Sequence, residues 1–442
     1  MEILIKVTQL ILSLSILVIF HEFGHYIASK IFGARVEKFY LFFDPWFSLF
    51  KFKKGDTEYG VGWLPLGGYV KISGMIDESM DKEQMKQPPQ PWEFRSKPAW
   101  QRLIIMLGGV TVNILLAIAI YILMLFAWGE QYLPTSEVKY GITVDTLGSQ
   151  MGLHNGDKIL SIDGEQVEDF FKIPGKIILD HAKTIQVNRD GQTLDLQIPA
   201  DFISKMLKQK SADIINVRIP FIVEAFPSVS PAKDAGMKKG DRIVGINNQP
   251  TFYFDEFKTV VGGYKGQKVD VAVIRNNDTL NLPVVVTAEG LIGVARKTEL
   301  AAFFDVSERK FSLIEAIPAG TVKAYTSIND YLKSLKLLFS PEVKAYESVG
   351  GFIMIGNIFP STWHWESFWR LTAFLSVMLA IINVLPIPAL DGGHVMFLFY
   401  EIITRRKPSD KFLEYAQVVG MVLLLALMVF ANGNDIIKLF RP

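Results

Sequence analysis

A His-Glu-x-x-His motif at the end of a long apolar segment is the feature that most constrains this chain. Residues 17–27 read LVIFHEFGHYI, and apolar side chains predominate from residue 3 up to the motif. A hydrocarbon core about 30 Å thick needs roughly 20 helical residues, so residues 3–32 predict a membrane span. The segment has neither a basic start nor a small-x-small cleavage site, which argues against a signal peptide.

Three further segments are apolar enough to span a membrane: residues 103–128, residues 368–385 with their continuation, and residues 415–431. Because only half of all residues are apolar, we expect separate membrane and soluble parts. A formal net charge of +1 argues against a polyanion binder, so we expect no nucleic acid partner. The absence of cysteine excludes disulfides and thiolate metal ligands.

Positive charges near the span ends predict the orientation of the chain in the bilayer. Lysines and arginines occur at both ends of the loop between the first two spans, and residues 404–411 (TRRKPSDK) lie between the last two. Both loops are therefore expected on the cytoplasmic side. Both termini and residues 129–367 would then lie outside.

The long outer region contains an internal repeat. Residues 152–164 (GLHNGDKILSIDG) resemble residues 236–248 (GMKKGDRIVGINN), and the same period continues to Phe170 and Phe254. A fixed period of this size predicts two copies of one small domain, each with a Gly-Asp turn before a half-buried strand. The pattern resembles the PDZ domain, which binds an extended peptide as an added strand. The alternative is a pair of β-rich spacers that bind nothing.

Two other regions have distinct patterns. Residues 39–72 are aromatic and β-prone, with a turn predicted at 54–56, and predict a β-hairpin that either dips into the membrane or lies on its surface. Residues 77–98 predict a polar linker with little structure. Residues 311–340 predict amphipathic helices at the outer membrane face, although packing against the second repeat would give the same pattern.

The histidine motif predicts a metal site. His21 and His25 are one helical turn apart, so they project from one face and can share an ion, while Glu22 can reach a water bound to it. Ionisable groups in membrane helices are costly and usually functional. Catalytic zinc typically has three protein ligands and an open position for water, so a third ligand must come from elsewhere in the chain.

The third ligand is expected in residues 383–395, NVLPIPALDGGHV, where Asp391 is the one acidic residue. Pro386 and Pro388 should break the helix, and Gly392 with Gly393 should let the backbone bend, which would direct the carboxylate into the helix bundle. His394 is the competing candidate, and we assign it a structural or supporting role.

Together these motifs resemble the site-2 protease family of intramembrane zinc metalloproteases, in its bacterial sigma-E-regulating type with tandem PDZ domains. The segments FRSKPAWQRL and PLGGYVKI also match the bacterial pattern, whereas YLFFDPWF and GGVTVN depart from it, although Asn113 is kept. The resemblance implies a polytopic α-helical membrane protein with four transmembrane helices, a membrane-associated β-hairpin region and two extracytoplasmic PDZ domains. It also implies Zn²⁺ and the following site residues: His21, His25 and Asp391 as metal ligands, Glu22 as catalytic glutamate, and Asn383 in the substrate groove.

The resemblance further implies hydrolysis of peptide bonds within single transmembrane segments, such as those of pre-cleaved anti-sigma factors or remnant signal peptides, in the bacterial inner membrane. Expected partners are these substrates, the lipid bilayer, and peptide C-termini or peripheral regulators at the PDZ domains. The active site would face the cytoplasmic side. The expected domains are the first two spans with the hairpin and linker (1–136), the two PDZ domains (137–218 and 219–297), the amphipathic helices (298–364) and the last two spans (365–442).

Two other classes of protein fit parts of the pattern. A non-catalytic PDZ-bearing receptor would use the metal as a structural ion, but a structural site has no use for Glu22. A metal-ion transporter would need polar residues along several spans, whereas the polar residues here converge on one point.

Overall fold

The computed structural model describes residues 2–75, 87–209, 214–338 and 350–440. The chain forms two compact units, one made of Met1–Gly129 and Lys310–Pro442 and the other of Glu130–Arg309. The first unit contains the apolar helices and the second contains both repeats.

The first unit begins with a long helix and a β-sheet. Its elements up to the second long helix are α1 Glu2–Ile31, β1 Val36–Lys54, β2 Thr57–Ile72 and α2 Ala99–Trp128. Helix α2 starts directly after Pro98, which is its N-cap residue, where a backbone N–H would have no partner within the helix. Residues 77–86 of the predicted linker lie outside the described residues, and Phe94–Ser96 form a short 3-10 turn.

The predicted hairpin is present, with its turn at Gly55, but its two strands pair more extensively than a simple hairpin would. The first part of β1 pairs with both halves of β2, from Val36↔Ile72 on one side to Leu41↔Val61 on the other. The second part of β1 pairs again with the first half of β2. The chain makes this bend at Phe42 and Trp46, which have φ of 67° and 74°. The result is a curved sheet with residues 68–72 along one edge.

The second unit consists of small sheets and short helices. Its elements in chain order are β3 Glu130–Tyr132, β4 Ile142–Val144, α3 Thr146–Gln150, β5 Lys158–Ile162, α4 Ile173–Leu179, β6 Thr184–Arg189, β7 Gln192–Gln197, α5 Phe202–Gln209, β8 Ile215–Val217, β9 Phe221–Ala225, α6 Pro231–Asp234, β10 Arg242–Ile246, β11 Gln249–Pro250, α7 Phe254–Val261, β12 Lys268–Arg275, β13 Asp278–Val285, β14 Ala295–Arg296 and β15 Ser307–Arg309. In the first repeat β5, β6 and β7 form an antiparallel sheet, and β4 pairs with β8. In the second repeat the strand order is β13-β12-β10-β9-β14.

Both repeats use the Gly-Asp turn in the same way. The aspartate of each turn is buried and forms an ion pair with an arginine on a following strand: Asp157 with Arg189, and Asp241 with Arg275. Burial alone would raise the pKa of Asp241, but the hydrogen bonds from Arg275 hold it below its ordinary value. The repeated pattern therefore corresponds to one repeated local geometry.

The remaining elements return to the first unit. They are α8 Leu313–Leu338, α9 Phe352–Ile358, α10 Trp365–Val384, α11 Asp391–Thr404 and α12 Asp410–Phe440. Within the described residues four helices, α1, α2, α10 and α12, are long and apolar enough to cross a membrane. This confirms the predicted number of spans.

Helix α8 packs along α2 through small side chains. Ala316, Gly320 and Ala324 are buried at four-residue intervals, and a Cβ on Gly320 would come within 2.6 Å of the Ile122 backbone. Such small-residue stripes allow close approach of helices. The amphipathic helix expected in residues 311–340 is therefore present up to Leu338, and its location at the outer membrane face stays a prediction.

Candidate active site

Two histidines lie one turn apart on the buried face of α1. His21 and His25 are 8% and 6% exposed, and their Nε2 atoms are 3.3 Å apart. The spacing of four residues places both rings on one side of the helix. The two nitrogens therefore face one small volume, as the motif predicts.

The rings lie against a pair of glycines in α2. A Cβ on Gly109 would stand 2.4 Å from His25 Nε2, and one on Gly24 would stand 2.2 Å from the Gly108 carbonyl oxygen. These distances are far below van der Waals contact, so no larger residue fits without moving a helix. This role of the Gly108-Gly109 pair is not predicted above, although small residues in an apolar helix are a known signal of close packing.

Asp391 reaches the same point from the other end of the chain. Helix α10 ends at Val384 and α11 begins at Asp391, so the break predicted from Pro386 and Pro388 is present. The carboxylate oxygen Oδ2 lies 3.2 Å from His21 Nε2 and 3.3 Å from His25 Nε2. The structure thus brings together the three residues predicted as metal ligands.

The role predicted for Gly392 and Gly393 is wrong. Both residues are buried in the first turn of α11, and the backbone turn in this region is at Ala389, with φ of 75°. A Cβ on Gly392 would stand 2.1 Å from the Leu385 carbonyl oxygen, and one on Gly393 would stand 2.7 Å from that of Ile387. The glycines are needed because α11 packs tightly on the loop before it, rather than because the chain bends there.

Helix α12 packs against the loop between α10 and α11. The Gln417 Oε1 accepts a hydrogen bond of 3.2 Å from the Ala389 amide, and Gly420 packs so closely that a Cβ would stand 1.9 Å from the Pro388 carbonyl oxygen. Gln417 is buried and also lines the cavity at the site. Its role is not predicted above, although a polar glutamine in an apolar span is a signal of function.

The three ligand atoms fit a zinc ion. Their separations are 3.2, 3.3 and 3.3 Å, and two ligands about 2.0–2.1 Å from a tetrahedral ion lie roughly 3.3–3.4 Å apart. The Asp391 Oδ2 is buried and makes no hydrogen bond of good geometry to any described residue, as expected for an atom that faces a cation. Two imidazoles and one carboxylate form a donor set typical of catalytic zinc.

Polar groups surround the two imidazoles. The Nδ1 of His25 lies 2.9 Å from the carbonyl oxygen of Ile105 in α2. Asn383, at the end of α10, places its Nδ2 3.4 Å from His21 Nε2. Asn113 lies on the opposite side of the His21 ring. The structure therefore brings Asn383 to the metal-facing side of the site.

A cavity of about 640 Å³ opens beside the ligands. Glu22 lines it and faces the backbone amide of Val70 on the edge of the curved sheet, where Gly68 leaves no room for a side chain against Val18. His394 also lines the cavity, but it is not part of the ligand cluster of His21, His25 and Asp391. The arrangement offers an acid–base group, an open sheet edge and room for a peptide segment beside the three ligands.

Comparison with known proteins identifies the class. The model of Peptidase family M50 matches residues 9–427, nearly the whole chain. The regulator of sigma-E protease RseP of Salmonella typhimurium is 27% identical over 99% of this chain and 100% of its own length. The regulator of sigma E protease of Haemophilus influenzae has the same identity and coverage. A Xylella fastidiosa protein named "Putative zinc metalloprotease" is 27% identical over 99% of both chains.

The fold and these similarities define a membrane metalloprotease. The chain belongs to Peptidase family M50, and its cofactor is Zn²⁺. With four apolar helices and relatives of the RseP type, it is an inner membrane protein that acts in contact with the lipid bilayer on membrane protein substrates.

Proposed function

We propose that this metalloprotease hydrolyses peptide bonds inside the transmembrane segments of single-span proteins, including pre-cleaved anti-sigma factors or remnant signal peptides. The observation that carries the proposal is the convergence of His21, His25 and Asp391 beside a cavity, on helices that are themselves membrane spans. A hydrolytic site on membrane-spanning helices can reach its substrate if the scissile peptide bond also lies within the membrane.

In the proposed site His21, His25 and Asp391 hold the zinc ion. When bound, zinc supplies a Lewis acid that polarises the scissile carbonyl and makes a water molecule acidic. Glu22 adjoins His21 on α1 and lines the cavity, so it takes the proton of the attacking water and then delivers a proton to the leaving amide nitrogen. Cleavage of the C–N bond thus leaves a carboxylate and an amine.

A helical substrate hides its carbonyl groups in hydrogen bonds, so the segment must first unwind. Residues 68–72 form the sheet edge nearest Glu22, and an extended substrate that pairs with this edge would regain the lost backbone bonds. Asn383, beside His21, would hold the bound segment by hydrogen bonds to its backbone. The sheet would therefore lie at membrane depth.

The repeats would regulate access of substrates. Residues 137–218 and 219–297 are proposed as PDZ domains outside the cytoplasm that take peptide C-termini or peripheral regulators. A cavity of about 570 Å³ lined by both repeats contains Arg296, whose pKa burial lowers, together with Lys258. Asp145 and Asp255 line the same cavity, so it offers both positive and negative groups to a bound peptide. The domain limits 1–136, 298–364 and 365–442 complete the proposed organisation, with the active site towards the cytoplasm.

The test is Glu22→Gln in the full-length protein reconstituted in lipid. Loss of the base should lower cleavage of a model single-span substrate by roughly 100-fold or more, while zinc content stays at one ion per chain. Glu366→Gln, an exposed glutamate at the start of α10, is the matched control and should cleave normally. Unchanged cleavage by Glu22→Gln would refute the proposal, whereas no cleavage by the unchanged, zinc-loaded protein would favour a receptor with a structural metal.

A further inference from the structure

Asn113 is a buried amide whose side-chain oxygen has no partner among the described residues. It lies in α2 with 0% exposure, and its Nδ2 is 3.3 Å from His21 Nδ1, while its Oδ1 makes no hydrogen bond within the part of the chain that the structure describes. A buried unsatisfied acceptor costs about 1–3 kcal/mol, so this orientation of the amide needs an explanation.

The chemistry of His21 supplies one. Its Nε2 faces His25 and Asp391, so an ion at that point takes the lone pair of Nε2 and leaves the ring proton on Nδ1. A proton on Nδ1 needs an acceptor, and metal-bound histidines nearly always have one. The corresponding atom of His25 already has the Ile105 carbonyl.

Rotation of the Asn113 amide by 180° supplies this acceptor in the same volume. The Oδ1 then replaces the Nδ2 beside His21 Nδ1 and accepts its proton. Without an ion, the Nδ2 donates to Nδ1 while Nε2–H is free to donate to Asp391. Asparagine therefore suits the site both with and without an ion. A residue that can only accept or only donate a hydrogen bond suits one of these states.

We propose that Asn113 is a positioning residue for zinc, because its Oδ1 accepts the Nδ1–H of His21 and keeps Nε2 directed at the ion. This rests on the proposed site at His21, His25 and Asp391. Packing of α2 against α10 does not explain why residue 113 has an amide side chain, because the polar contact between the two helices at this position is made by the backbone of Asn113. The Asn113 carbonyl oxygen accepts a 2.7 Å hydrogen bond from Ser376 Oγ on α10.

The experiment compares Asn113→Leu with Asn113→Asp. Leucine has a similar size and removes the acceptor, while aspartate keeps an acceptor in either orientation. Zinc retention is measured on full-length protein in lipid nanodiscs against a chelator of known affinity, and no substrate is needed. We expect Asn113→Leu to bind zinc about 10- to 100-fold more weakly and Asn113→Asp to stay within about threefold of the unchanged protein.

Thr372→Val is the matched control. Thr372 is also fully buried, and its Oγ1 donates hydrogen bonds to Ser13 Oγ on α1 at 3.0 Å and to the Phe368 carbonyl oxygen rather than to a histidine. It should lose a similar amount of stability and keep its zinc affinity. Thermal unfolding of the metal-free variants identifies any variant that fails to fold. If Asn113→Asp fails to fold, the comparison of Asn113→Leu with Thr372→Val still tests the proposal.

Two results would overturn the proposal: zinc affinity of Asn113→Leu equal to that of Thr372→Val, or Asn113→Asp as weak as Asn113→Leu. Failure of the proposed metal site itself has a different signature. In that case His21→Ala and Asp391→Ala would retain zinc as well as the unchanged protein.

Discussion

The histidine half of the proposed zinc site lies on an unbroken helix, whereas the aspartate half lies beside a break in the chain. His21 and His25 belong to the 30-residue α1, and their rings lie directly on Gly109 of α2. Asp391 follows a loop that is held by contacts with α12. The hydrogen bonds of a helix fix the direction of its side chains, but a loop depends on its neighbours.

This difference predicts two kinds of response to mutation. On the histidine side an atom added at Gly109 collides with both imidazole rings, so the loss of zinc affinity should be large. On the aspartate side the loop can relax, so the effects should be graded. Substitutions on the two sides, compared by the zinc affinity of the full-length protein, separate these behaviours.

Gly109→Ala should have the largest effect. The new Cβ would fall 2.4 Å from His25 Nε2 and 2.6 Å from His21 Cε1, so the rings or the helix must move by about 1 Å. A displacement of that size should weaken zinc binding roughly 100-fold or more. Gly433→Ala in α12, where a Cβ meets open space, is the control and should bind zinc normally. Normal zinc affinity in Gly109→Ala would show that the histidine half is not rigid.

Gln417→Ala should have an intermediate effect. It removes the acceptor of the Ala389 amide, two residues before Asp391, and leaves that amide without a protein partner. Zinc affinity should fall roughly three- to tenfold, less than for a direct partner of a ligand. Gln417→Glu keeps an acceptor oxygen and should restore most of the affinity. If both variants bind zinc normally, α12 does not position the aspartate.

The two halves also differ in how far the sequence predicts them. The proximity of His21 and His25 follows from helical periodicity alone, because residues four apart lie on the same face of a helix. The approach of Asp391 is predicted from the missing third ligand and the scarcity of acidic residues in the membrane segments, and the family resemblance implies the same residue. Gly109 and Gln417 were missed because their roles depend on which helices pack together, and a local pattern does not contain that information.

The curved sheet gives the same lesson. The turn at Gly55 was predicted from local residue types, and it is present. The second pairing of β1 was not predicted, because the bend uses left-handed conformations at Phe42 and Trp46, where bulky residues are rare. The sequence therefore predicts the strands well and their curvature poorly.

Ala389→Gly should have the smallest effect. Ala389 has φ of 75°, a conformation that costs an ordinary residue about 1 kcal/mol and glycine very little. Glycine also gains up to about 1 kcal/mol of entropy in the unfolded chain, so the free energy of unfolding should change by less than about 1 kcal/mol. Zinc affinity should stay within about twofold, because the amide that bonds to Gln417 is kept.

Ala389→Val gives the contrast at the same position. A β-branched residue is a true outlier at positive φ, so the loop should adopt another conformation and move Asp391 away from the histidines. We expect weaker zinc binding than in Gln417→Ala and stronger binding than in Gly109→Ala. If Ala389→Gly weakened zinc as much as Ala389→Val, stiffness of the backbone at this residue, rather than contact with α12, would hold the aspartate in place.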